Sequence, residues 1–168
     1  LVLSCVYLLW SVAAQQHVRT VAHKSLEAQD IHNAQLWVYA SPFNTVLWRV
    51  LAVTPTHSHE GFYSLLDADK HIPLTATERG QAYLERWADV PHVQRMLRFT
   101  QGPVRMEVVD GRVLLSDLRM GQEPHYSFVF DLGTPEELDA GQSTAQRKPA
   151  NLRASADIWS RIWGRDNL

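Results

Sequence analysis

Three clusters of side chains have the types and spacing to do chemistry. The first is Thr56-His57-Ser58-His59-Glu60. On an extended segment His57 and His59, two apart, point the same way. With Glu60 they offer the N, N and O donors that zinc accepts, and a fourth ligand would have to come from His71 or His125. The opposing reading is a solvated hairpin tip whose histidines hold nothing. The second cluster is Asp117 with Arg119, at i and i+2 and so on one strand face, joined by Arg49, a lone charge in an apolar row. Such a group suits an anionic phosphate or carboxylate. It equally suits a structural ion pair closing a sheet, with Asp117 or Asp67 as the carboxylate that Arg49 needs. Asn44 could orient a ligand through its amide or serve as a turn former. Tyr63, Tyr126 and Trp48 could line a pocket with Arg119 or be ordinary core. Third, Ser64, Ser116, His125 and Asp117 are the types of a Ser-His-Asp triad, but no G-x-S-x-G elbow marks any of them. No catalytic residue can be assigned from these patterns.

The elements that would position these residues centre on Ser41 to Asp67. Val46 to Val53 reads as a strand with apolar residues on both faces, hence a central one covered on both sides. A polar tip from Thr54 to Gly61 and a returning strand from Phe62 to Asp67 complete the hairpin. Thr75 and Glu78 form a T-x-x-E capping box that predicts a helix over Ala76 to Ala88. Asp89 caps a second, short helix with Pro91 in its first turn and Val93, Met96 and Leu97 facing inward. Strands follow at Pro103 to Val109, Arg112 to Leu118 and Tyr126 to Leu132, with Asp110-Gly111 a type I′ hairpin signal between the first two. The expected fold is α+β: a mainly antiparallel sheet of about five strands packed with helices.

The first fourteen residues, LVLSCVYLLWSVAA, carry no charge. They fit a signal-peptide h-region lacking its basic flank, a buried core helix, or the last two-thirds of a transmembrane helix. The polar helical continuation through Gln29 favours the third. The organisation read from this is the end of a transmembrane helix over 1–14 and a helical stalk over 15–36. An α+β domain over 37–133, a Pro/Gly/Ser-containing linker over 134–151 and a C-terminal amphipathic helix over 152–168 follow. With 16 basic and 18 acidic residues and one cysteine, Cys5, the chain has no nucleic-acid footprint, no internal disulfide and no cysteine-based zinc cage. Its six tryptophans suit core or membrane-boundary packing.

The strings SPFNTVLWRVLAV, HEGFYSLLD, LRFTQG, DGRVLLSDLRMGQEPHYSFVF and IWSRIWG resemble the C-terminal part of a bacterial inner-membrane family. It is described as membrane-bound, predicted metal-dependent hydrolases, one branch of which is described as LexA-binding. The resemblance covers about Ser41 to Gly164 and the preceding membrane helix. It implies an aqueous domain of a polytopic inner-membrane protein, whose metal motif, of H-R-G-x-x-H-S type, lies in an N-terminal helical part that this chain lacks. A divalent metal is then expected in the full-length protein and none in this chain, which alone would be inactive. Of the tip residues, Glu60 and Gly61 fit the family pattern, which does not require His57 or His59. Arg19 and Lys24, just past the apolar run, point weakly to a cytoplasmic exit. The implied partners are the membrane, through the N-terminal helix, and a protein. The alternative is a non-catalytic binding or assembly module that recognises a protein or an anionic ligand through Arg49, Asp117 and Arg119.

Overall fold

A computed structural model describes residues 2–42, 44–100, 102–143 and 145–148. The expected C-terminal helix over 152–168 lies outside the described residues. The fold is α+β, and its strands are divided between two four-stranded sheets and a two-stranded ribbon rather than gathered in one sheet of about five. The described residues form two compact units, one comprising 2–54 and His59–Ala76, the other Pro55–Ser58 and 77–148.

In the first unit, helix α1 (Val2–Ala28) leads into strands β1 (Gln35–Ala40) and β2 (Leu47–Val53). The next strands are β3 (His57–Ser64) and β4 (Thr75–Glu78), and the sheet order is β1-β2-β3-β4. β2 is central and buried at all seven positions, as its two apolar faces predict. The C-terminal half of α1 is no free stalk. Ala14, Val18, Val21, Ala22, Ser25 and Leu26 recur at helical spacing and are buried. With Val38, Trp48, Val50, Tyr63 and Ile72 most of them form the core of this unit. Ser25 ties the two layers together, its Oγ donating to Val21 O at 2.9 Å and accepting from Ile72 N at 2.9 Å. The helix stops at Ala28, short of the expected Leu36, because Asp30 and Asn33 take left-handed φ of 57° and 54°. Asp and Asn tolerate that conformation best among non-glycine residues. The β-favouring Trp37, Val38 and Tyr39 then pair with β2.

The second unit contains α2 (Gln81–Arg86), α3 (Pro91–Thr100), β5 (Val104–Val109) and β6 (Arg112–Asp117). β7 (Gly121–Gln122), β8 (His125–Tyr126), β9 (Val129–Asp131), α4 (Pro135–Asp139) and β10 (Gln146–Arg147) follow. Its sheet has the order β10-β9-β6-β5, while β7 and β8 form the ribbon. β5 and β6 meet at Asp110-Gly111, whose φ values of 52° and 73° are those of the expected type I′ turn. Trp87, Val93, Val104, Met106, Val113, Leu115, Leu132 and Leu138 make the core.

Four expectations need correction here. The helix predicted over Ala76 to Ala88 does not start at the Thr75/Glu78 box, because Thr75–Glu78 is strand β4 and α2 begins only after Gly80. α3 starts at Pro91 with its first bond from Gln94 N to Val90 O, so Asp89 lies one residue short of the cap position. The single strand expected over Tyr126 to Leu132 is broken into β8 and β9. The expected linker holds a helix of its own, α4, with a complete capping box at Thr134 and Glu137 and Pro135 in its first turn.

Two carboxyls in this unit make its stability depend on acid. The Arg112 guanidinium, whose Nε donates to Asp131 Oδ2 at 2.6 Å, holds the Asp131 carboxyl below the usual carboxylate range, helped by Gly133 N. The Trp87 indole, donating to Asp139 Oδ1 at 2.8 Å, and then Arg86 do the same for Asp139. A folded-state pKa below the unfolded one contributes stability that is present above about pH 4 and lost as pH falls through the folded value. The urea midpoint should therefore fall as pH is lowered from about 4, and the Asp131→Asn, Asp139→Asn double variant should show a flatter profile there. An unchanged slope in the double variant would remove these two groups from the explanation.

Candidate functional site

Arg49 finds its carboxylate within its own hairpin, and it is neither Asp117 nor Asp67. Nε donates to Glu60 Oε1 at 2.7 Å and Nη2 to Glu60 Oε2 at 3.0 Å, a two-pronged pair. The side chains are only 7% and 10% exposed. Asp67 instead accepts from Ser64 N at 3.0 Å and closes the end of β3. The tip is shorter than expected, because β3 begins at His57 and takes up residues read as loop. That shift dismantles the proposed zinc ligand set. On a strand Glu60 points away from the face that carries His57 and His59, and it goes to Arg49. His57 Nδ1 lies 2.9 Å from Thr56 Oγ1. Among the described residues, no group of three His, Cys, Asp or Glu side chains is arranged to hold a metal ion.

Asn44 is committed to the backbone. Its Oδ1 accepts from Val46 N at 3.0 Å and Leu47 N at 2.7 Å, and its Nδ2 donates to Pro42 O at 3.2 Å. It therefore shapes the turn into β2, the ordinary role for Asn at such a place. Trp48 Nε1 donates to Thr45 O in the same turn at 3.0 Å. Tyr63 is buried in the core against α1, its hydroxyl 3.5 Å from His17 Nε2. Trp48 belongs to that core too.

In the second unit Asp117 and Arg119 do pair. Arg119 Nε donates to Asp117 Oδ1 at 3.0 Å, Nη2 to Oδ2 at 2.6 Å, and the Arg119 backbone N–H also reaches Oδ1 at 3.0 Å. Asp117 is 4% exposed and Arg119 33%. The expectation missed the neighbouring cluster in which Arg105 Nη1 donates to both oxygens of Glu123, at 2.9 and 2.7 Å, and Nη2 to Glu107 at 2.6 Å. The i, i+2 spacing of Arg105 and Glu107 was the one local signal for it. Of the triad types, Ser116 is buried next to Asp117 on β6, where consecutive side chains point to opposite faces. A serine–histidine contact forms elsewhere, between Ser143 Oγ and His92 Nδ1 at 3.3 Å, across a sequence separation that no local pattern reveals.

A cleft of about 310 Å³ in the first unit is lined by Ser11, Val12 and Gln15 of α1, Val38, Tyr39 and Ala40 of β1, and Trp48. Gln15 Nε2 crosses it to Val38 O at 3.1 Å. Above it the helix is bare: Val2, Leu3, Val6, Tyr7, Leu8, Leu9, Trp10 and Val12 are all more than half exposed. No helix among the described residues is long and apolar enough to cross a membrane. Compared with protein-family models, curated proteins and solved structures, the chain matches none.

Proposed function

We propose that this chain is the aqueous domain of an inner-membrane protein of the predicted metal-dependent hydrolase kind that its strings resemble. It supports or covers chemistry located in a membrane part outside it. The observation that carries this reading is the contrast along α1. Its second half packs on a sheet, whereas its uncharged first half, Val2 to Ala13, contributes no buried residue to the described core. Water is a costly neighbour for a run of this kind, and the hydrocarbon edge of a bilayer is a favourable one.

The polar side chains add support. Arg49 is answered by Glu60, Arg119 by Asp117, Arg105 by Glu123 and Glu107, and Asn44 by backbone. Groups that hold one another serve packing, which favours this reading over a binding module reading an anion through Arg49, Asp117 and Arg119.

Elemental analysis of the purified chain tests the reading. The expected result is no divalent metal near one per chain and no turnover of ester, phosphoester or amide substrates with added zinc or manganese. A stoichiometric metal that disappears with His57→Ala and His59→Ala, together with turnover, would overturn it.

A further inference from the structure

The bare half of α1 does not leave its unit alone. Trp10 Nε1 donates to Thr45 Oγ1 at 3.3 Å, and Thr45 belongs to the loop that joins β1 to β2. Within the next five residues, Ser11, Val12 and Gln15 line the cleft beside β1, and Ala14 is the first buried residue of α1. So the helix emerges beside the β1–β2 loop, at the level of Trp10. From there back to Val2 it extends about 12 Å, less than half of the roughly 30 Å hydrocarbon core of a bilayer.

We infer that the β1–β2 loop is a membrane-surface loop, seated in the headgroup layer where α1 enters the lipid. This rests on the membrane reading of α1 and goes beyond it by naming a second element that touches the bilayer. Three observations support a lipid surface over a protein partner. Exposed apolar residues surround α1 on every side, from Val2 and Leu3 through Val6, Tyr7, Leu8 and Leu9, whereas a single partner helix would need only one stripe. Tyr7 and Trp10, three apart and thus on one side, have the ring types that settle at the interface.

The third is charge. Residues 2–26 contain Arg19 and Lys24 and no Asp or Glu, and residues 31–48 contain none of the four charged types. Arg19 and Lys24 are exposed. α1 up to Leu26 and the β1–β2 segment thus bring no carboxylate of their own to anionic headgroups, and Arg19, about 14 Å along α1 from Trp10, is the nearer of the two cations. Several described polar groups of the loop are engaged, which lowers the cost of that environment. Ser41 N donates to Leu47 O at 2.9 Å, Asn44 N to Ser41 O at 3.3 Å, and the Asn44 side chain holds both Val46 N and Leu47 N.

Environment-sensitive fluorophores on the full chain, mixed with vesicles of phosphatidylcholine and phosphatidylglycerol, separate the loop from the helix. The native Cys5, exposed on α1, takes the label that reports the helix. In a Cys5→Ser background, Pro42→Cys reports the loop, with Thr45→Cys as a second position should the first not fold, and Asp30→Cys, 96% exposed at the far end of α1, is the aqueous reference. The expected result is a blue shift at Cys5 with quenching by nitroxides deep in the acyl chains. At the loop, quenching should come from headgroup nitroxides and not deep ones, with neither at Asp30. A Cys5 label that embeds while the loop label behaves like Asp30 overturns the loop inference and leaves the membrane reading standing. A Cys5 label that stays in water, or shifts on concentration without vesicles, overturns both and in the second case assigns the apolar surface to a second copy of the chain.

Discussion

Truncating Glu60 to alanine is expected to cost about 3–5 kcal/mol of folding free energy, because it removes a two-pronged carboxylate from a guanidinium held inside a sheet. At 7% and 10% exposure the two side chains are beyond most solvent screening, unlike a surface ion pair, for which about 0–1 kcal/mol is usual. The geometry is two-pronged, so both charge and hydrogen bonds are lost together. Glu60→Gln keeps the shape and part of the hydrogen bonding and should fall between wild type and Glu60→Ala. Arg49→Met combined with Glu60→Leu should recover part of the loss, since neither member of the pair is left buried without the other. Urea denaturation with an unchanged m value is the measurement. A loss below about 1 kcal/mol for Glu60→Ala would show that water reaches the pair and that its burial has been overstated.

That pair also shows where sequence reading worked and where it ran out. The need of Arg49 for a carboxylate was legible, because a lone charge on a strand with two apolar faces cannot stay unpaired. Which carboxylate was not legible, because the answer turned on where β3 begins. Counted from Phe62, Glu60 is a loop residue grouped with His57 and His59; counted from His57, it is a strand residue that points away from them. A shift of a few residues in a boundary thus exchanged a metal site for an ion pair.

The T-x-x-E motif occurs twice, and the contrast is instructive. At Thr134 it is followed directly by Pro135, which is preorganised for a first helical turn, and a capped helix results. At Thr75 the following Ala76 and Thr77 have no such bias, and pairing in the sheet with β3 takes the segment. Hairpin signals fared better than caps. Asp110-Gly111 dictated its turn locally, since both residues tolerate the positive φ that a two-residue turn demands. The linker expected over 134–151 was a compositional reading, and composition is blind to one capped turn of helix.

The most distinctive strings are accounted for largely by structure. In SPFNTVLWRV, Asn44 shapes the turn, Trp48 bonds back to Thr45 and Arg49 meets Glu60 of HEG. In DLRMGQEPHY, Asp117 pairs with Arg119 and Glu123 with Arg105, while Gly121 takes a φ of 111° against the backbone of Tyr126. Residues consumed in this way explain why unusual words occur in the sequence, since each of them holds a turn, a strand pair or an ion pair in place.

Gly80→Ala is expected to be the most damaging conservative change in the second unit. Gly80 has a φ of 67°, and a Cβ there would fall 1.8 Å from Met106 O, far inside any permitted contact. The obstacle is backbone, and that backbone is fixed, since Met106 N donates to Arg79 O at 2.9 Å. The left-handed conformation costs an alanine roughly 1–2 kcal/mol. Relieving the clash by moving β5 adds the loss of at least that hydrogen bond and of core packing around Met106, for a total on the order of 4 kcal/mol. Gly111→Ala supplies the control. Its φ of 73° is as demanding, but nothing lies within 4 Å of the added Cβ, so only the conformational cost of about 1–2 kcal/mol should appear. Equal losses for the two variants in urea denaturation would mean that backbone conformation alone is at stake. A Gly80 loss larger by at least about 2 kcal/mol would locate the difference in the approach of α2 to β5.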